Sequence, residues 1–213
     1  MKKIMTLYLL LIAGTAILAQ NNCPSIPTTK KANQDRTVAK HETNYSHFKK
    51  KKDTISVDYI YNWQAKYDSK TSLITTTVGK PTTLREHGTP EDSLYILKGY
   101  LWLVRMEEND CDFHMEIGPA DSAGTRVVVE VPQENTTAQT KIRNEMNKRQ
   151  LHIENCKPGT SKGYHFKTGI PVVITGLGFY DASHKPNTNH GDDHTKIYSW
   201  ELHPVKAIVF LKK

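Results

Sequence analysis

The order of apolar patterns between Ser93 and Leu211 constrains the fold of this chain more than any other feature. Residues 93–106 form one apolar, aromatic run with LYILKGYLWLV at its centre, which predicts a long buried strand. The acidic turn Glu107, Glu108, Asn109, Asp110 follows. Cys111 to Ile117 then alternates, with Phe113, Met115 and Ile117 on one side and Asp112, His114 and Glu116 on the other, the pattern of a half-buried strand. Thr125 to Val131 predicts a third strand with Val127, Val129 and Val131 inward, ended by Pro132. From Asn135 to about Arg149 the residues suit a short amphipathic helix with Ile142 and Met146 four apart. Gly169–Asp181 and Ser199–Leu211 read as the fourth and fifth strands, Gly176 and Gly178 standing where a strongly bent barrel strand needs them.

Three strands, a helix and two more strands is the order of the OB-fold. The expectation is therefore a mainly β domain, a five-stranded OB-fold-like Greek-key barrel with one helix between strands three and four. Another small antiparallel barrel or sandwich with an added helix fits the same pattern. Ile55 to Tyr67 alternates like a strand, but Val57, Ile60 and Tyr67 also suit a helix, and we read it as a short helical N-terminal element.

Upstream of this domain the chain changes character. Lys2 and Lys3, the apolar run from Ile4 to Leu18 and the small Ala19 have the form of a secretory signal peptide over residues 1–19. The run is shorter than the about 20 residues a membrane span needs, so no span is expected after its removal. The expected location is the periplasm or the outside of the cell. Cys23 follows Asn22 rather than the small residue a lipoprotein signal requires. Residues 20–53 read as a flexible Lys/Thr-rich tether, residues 54–90 as an extension packing on the barrel, and residues 91–213 as the barrel itself. The formal charge of +7 resides in the signal and the tether, and residues 53–213 are close to neutral. Basicity of the barrel is thus no argument for a phosphate-binding groove. Of the three cysteines, Cys111 and Cys156 fall in the domain, where they either pair or are buried as small hydrophobes.

Chemistry concentrates between Gly178 and Pro204, which holds four of the ten histidines. Histidine and carboxylate offer lone pairs and titrate near neutral pH, as metal and acid/base sites require. His184, His190, Asp192 and His194 occupy the loop before the last strand and are candidate ligands for a divalent metal such as zinc, although their spacing matches no HExxH, CxxC or EF-hand pattern. A mobile polar loop is the plainer reading. In an OB barrel the second strand neighbours the third and the third neighbours the fifth. Asp112 and His114, Glu130, and Glu201 and His203 then share a polar strip opposite the apolar positions, with Asp181 at the end of strand four. The same alternation also describes a solvated strand face, and Glu201 with His203 also fits a structural pair.

The segments CDFHMEI, VVVEVP, FYDASH and WELHPV together resemble a group of uncharacterised bacterial exported proteins that carry a D-x-H segment and close with W-E-(L/I)-H-P. The likeness covers residues 90 to 210 and implies no activity.

Nucleophilic catalysis has no support, since the G-x-S-x-G elbow, the P-loop and GxGxxG are all absent. Nucleic-acid binding would use exposed aromatics from the set Tyr95, Tyr100, Trp102, Phe113, Phe179, Tyr180, Tyr198 and Trp200, most of which read as core. The lysines of the tether would add only weak, salt-screened affinity for polyanions. The expectation is an exported binding or interaction module taking a small ligand, a polyanion or a protein at Asp112, His114, Glu130, Asp181, Glu201 and His203. A metal-dependent phosphodiester hydrolase using the same residues, with Arg105 and Arg126 available for phosphoryl charge, is the alternative, and a structural envelope protein a third.

Overall fold

The computed structural model describes residues 37–63, 66, 88–107, 110–121, 123–151, 153, 163–181 and 200–212. In chain order the elements are α1 (Thr37–Lys40), β1 (Lys49–Ile55), α2 (residues 57–63), a 3-10 turn (Pro90–Asp92), β2 (Ser93–Met106), β3 (Phe113–Gly118), β4 (Val127–Val131), α3 (Thr136–Lys148), β5 (Tyr164–Tyr180) and β6 (Trp200–Phe210).

β2 pairs antiparallel with β3, β3 with β4, β4 in parallel with β6, β6 antiparallel with β5, and β5 back to β2. The circuit closes on itself, so these five strands have no unpaired edge. This is the OB-fold circuit, with the helix between its third and fourth strands.

The alternation read from the sequence sorts side chains as expected. Phe113, Met115, Ile117, Val127, Val129, Val131, Trp200 and Leu202 enter one continuous core with Leu101, Val104, Ile170, Val172 and Ile174. α3 caps one end of it with Ala138, Ile142 and Met146. The helix starts where it does because the side chain of Asn135 accepts a hydrogen bond from Ala138 N at 3.1 Å, satisfying one of the free N–H groups of the first turn. The amide of Asn135 also donates to Val205 O at 2.8 Å and so ties the helix to β6.

One expectation changes upstream of the barrel, and one is met. Residues 37–53, assigned from composition to the tether, are structured. β1 runs parallel to β2, with Lys49 opposite Ser93 and Ile55 opposite Leu97. Its lysine run does not oppose strand formation, because Lys49, Lys50 and Lys51 are exposed and lysine on an edge strand blocks further pairing. Phe48, with Tyr45 packed beside it, contacts Leu94 and Leu177 on the outer face of the barrel. Residues 57–63 are helical, as read from the sequence. Val57, Ile60 and Trp63 are buried, the Trp63 ring standing 4.8 Å from Tyr95 and 5.7 Å from Trp200.

Gly178 marks the tightest packing in β5. A Cβ built there would lie 2.4 Å from the carbonyl oxygen of Pro90, a backbone atom that cannot rotate away. Gly178→Ala is expected to cost about 1–3 kcal/mol, the usual range for overpacking, read as a lower midpoint in urea. Among the described residues no helix is long and apolar enough to cross a membrane.

Candidate functional site

The polar positions of β3, β4, β5 and β6 do share one face, and that face is not open to water. Asp112, His114 and His203 have no exposed surface, Glu201 has 1 %, Asp181 4 % and Glu130 7 %. Burial of both sides of β3 corrects the half-buried reading. The cover on the β6 side comes from the N-terminal segment, whose Ala39 and His41 are themselves buried.

Glu130 lies at the centre. Its Oε1 stands 2.9 Å from His114 Nδ1 and its Oε2 2.9 Å from His203 Nδ1. His203 Nδ1 also lies 3.2 Å from Glu201 Oε1, and its Nε2 lies 3.3 Å from Asp112 Oδ2. Register explains the convergence. His114 pairs directly with Glu130 across β3 and β4, and Val129 is opposite Leu202 across β4 and β6, which puts Glu130, Glu201 and His203 on the same outward side. The peptide bond between His203 and Pro204 is cis.

The N-terminal segment adds an ammonium and an imidazole that composition gave no reason to place here. Lys40 Nζ donates to Asp181 Oδ2 at 2.8 Å and stands 5.6 Å from the centre of the Phe179 ring. His41 Nδ1 lies 2.8 Å from Glu134 Oε2, and its ring is 6.4 Å from that of His203. The available signal was Tyr45 and Phe48, aromatic residues in an otherwise polar stretch that anchor it to the barrel. At the other end of the strip, Arg105 Nη2 reaches Glu107 Oε1 at 2.7 Å, and Glu107 Oε1 lies 3.5 Å from His114 Nδ1.

Charge and burial set the protonation states. Burial pushes the Asp112 carboxyl up to about 6, with His203 pulling the other way. Burial, and Glu130 beside it, raise Glu201. Glu130 is held well below the usual carboxylate range, since His203 and His114 outweigh burial. Burial opposes the charge on His203, but Glu130, Asp112 and Glu201 overcome it and raise the imidazolium well above its ordinary value. Lys40 is likewise raised, with Asp181, Glu130 and Glu201 outweighing burial. Glu130 and His203 thus form a charged pair, while Asp112 and Glu201 are displaced towards the neutral form.

These shifts predict a pH profile. His203 contributes stability that is complete below about 6.5 and lost as pH rises through its raised folded value. Asp112 acts in the same direction, its contribution lost as pH rises from about 4 through about 6. Glu130 acts oppositely, its contribution present above about 4.5 and lost as pH falls. Urea denaturation from pH 4 to 9 is expected to show greatest stability in the mildly acidic range and a decline towards pH 9.

Of the remaining expected residues, His184, His190, Asp192 and His194 lie outside the described residues, as do Cys23, Cys156 and Tyr198. Cys111 is disulfide-bonded. Arg126 does not point at the strip's centre but pairs with buried Glu116 at 3.1 Å and lies over the Trp102 ring at 5.3 Å. Tyr95, Trp102, Phe113, Phe179, Tyr180 and Trp200 are buried and Tyr100 is half-buried, so no stacking platform is formed by them.

No protein-family model and no curated protein matches the chain. Solved structures with similarity include Entamoeba histolytica asparaginyl-tRNA synthetase in complex with asparaginyl-adenylate, at 12% identity and a TM-score of 0.35 over 61% of this chain and 23% of that one. Yeast Stn1 and Ten1 match at 10% identity and a TM-score of 0.34 over 83% of this chain and 70% of that one. The chain therefore spans less than a quarter of the synthetase. The class of the protein, a mainly β OB-fold-like barrel, rests on its strand circuit, and no residue role is carried over from either structure.

Proposed function

We propose that this is an exported binding module whose ligand presents a positive charge, taken up on the outer face of the barrel between Asp181, Glu201 and Glu130. The observation that carries the reading is Lys40. Four carboxylates are gathered here, Glu130 and Glu201 on β4 and β6, Asp112 just before β3 and Asp181 just after β5, and the ammonium that faces Asp181 comes from a separate segment outside the barrel. Burying that many ionisable groups is expensive, and apolar residues of similar volume would make a barrel at least as stable. A site for a cation accounts for them, with Phe179 supplying an aromatic face beside the ammonium. Residues 37–48 then cover the site in the ligand-free chain.

The same charge disfavours a phosphate backbone at this face, so any polyanion would be met by the exposed lysines of β1 instead. Spermine is expected to raise the melting temperature of the purified protein saturably, whereas an oligothymidylate of comparable charge does not, and Asp181→Asn removes the effect. A shift with the oligonucleotide alone would overturn the proposal.

A further inference from the structure

Residues 37–48 grip the barrel at two separate points. We infer that this strap stands in for a ligand of its own kind, a basic segment of another protein in which two adjacent cationic residues precede aromatic ones, and that such a segment displaces it; the inference rests on the reading of the face as a cation site and names the class of cation. At the first point Lys40 Nζ donates to Asp181 Oδ2 at 2.8 Å and His41 Nδ1 lies 2.8 Å from Glu134 Oε2, so two consecutive side chains meet two carboxylates. At the second, Phe48 packs on Leu94 and Leu177, and the Tyr45 ring beside it lies 5.3 Å from Lys206 Nζ. Between the two points Thr43, Asn44, Ser46 and His47 are exposed. A short turn joins the halves, Asn44 Oδ1 accepting from Ser46 N at 3.2 Å and from Ser46 Oγ at 2.7 Å. A segment with few buried side chains and an exposed middle opens before the fold that carries it.

The choice of partner follows from tethering. A segment joined to the barrel it covers competes at an effective concentration on the order of millimolar, so the identical segment of a second copy does not displace it at ordinary protein concentrations. A ligand has to fit better than the strap. Lysine is the fixed part of the motif, because Glu130 and Glu201 add to the attraction that Asp181 exerts on Lys40. The place for improvement is Glu134. Its side chain keeps 27% exposure, and His41 engages only its Oε2, through a single ring nitrogen. An arginine in that position sets a planar fork of N–H donors against both carboxylate oxygens, a stronger and more directional pairing. Two adjacent cations followed by aromatic side chains are thus the chemistry this surface selects.

The test uses the purified protein and a labelled peptide with the sequence of residues 37–48, read by fluorescence anisotropy. The peptide carrying His41→Arg is expected to bind the unaltered protein saturably and to speed proteolysis after residues 40–49 of the protein's own strap. Lys40→Ala protein, whose internal competitor is weakened, should bind both peptides more tightly, with His41→Arg about tenfold ahead of the unchanged sequence, the difference between a charged fork and a single hydrogen bond. Asp181→Asn should abolish binding. Glu134→Gln, at a partly exposed position that the fold tolerates, should leave binding but erase the advantage of the substituted peptide. No saturable binding to either the unaltered or the Lys40→Ala protein, or equal binding when the peptide also carries Lys40→Met, overturns the inference. Dimers of the unaltered protein that the peptide dissociates in sedimentation would give the face to a second copy and overturn the choice of partner. A protein that answers spermine but not the peptide overturns the peptide ligand alone; one that answers neither overturns the cation-binding reading as well.

Discussion

Replacing Glu130 with glutamine is expected to lower the unfolding free energy by about 3–5 kcal/mol, the usual result of removing one partner from a buried ion pair. The cost is set by what remains. His203 has no exposed surface and depends on Glu130 first among its neighbours for its charge, and His114 faces the same carboxylate at 2.9 Å. With glutamine at position 130, the His203 imidazolium still faces Asp112 and Glu201, both of which burial displaces towards the neutral form. Chemical denaturation at pH 6.5 measures the change. Glu201→Gln supplies the contrast. The carboxyl there is already pushed up by burial and by Glu130, so the amide mimics its favoured state and the loss should stay below about 1 kcal/mol. Equal losses in the two variants would contradict the assignment of charge within the network.

The second large effect is expected at Lys40. Lys40→Met keeps the apolar stem but leaves Asp181, whose side chain is only 5% exposed, without its ammonium. A loss of about 3 kcal/mol follows from removing one partner of a buried ion pair. The segment it anchors should also loosen, so cleavage by a protease after residues 40–49 should accelerate in the native state. Adding Asp181→Leu should return most of the loss, because an apolar pair of similar volume replaces the ion pair at little cost. If the double variant is no better than the single one, Lys40 acts through something other than Asp181.

Much of this architecture was legible because it depends on periodicity. The alternation in Cys111–Ile117 and Thr125–Val131, the spacing of Ile142 and Met146 and the glycines of the fourth strand each specify local structure, and the strand order then dictates which strands meet. That order alone brings Asp112, His114, Glu130, Glu201 and His203 together. The burial of the strip was not legible, because alternation separates the two faces of a strand without saying whether a third layer covers the polar one. Lys40 and His41 were hidden for a related reason. Composition marks residues 37–53 as solvated, whereas their placement depends on two aromatic anchors, Tyr45 and Phe48, and on partners more than a hundred residues away, as between Lys40 and Asp181. β1 escaped because its lysines signal a soluble tether and an edge strand equally well.

Propylammonium, which matches the part of the lysine side chain lost in Lys40→Ala, tests directly whether the acidic face is a receptor for a cation that Lys40 occupies from within the chain. Added to the Lys40→Ala protein at constant ionic strength, it is expected to raise the melting temperature saturably, while sodium at the same concentration does not and the unaltered protein does not respond. A melting temperature in the variant that is indifferent to propylammonium would contradict the claim and leave the network as a structural clamp.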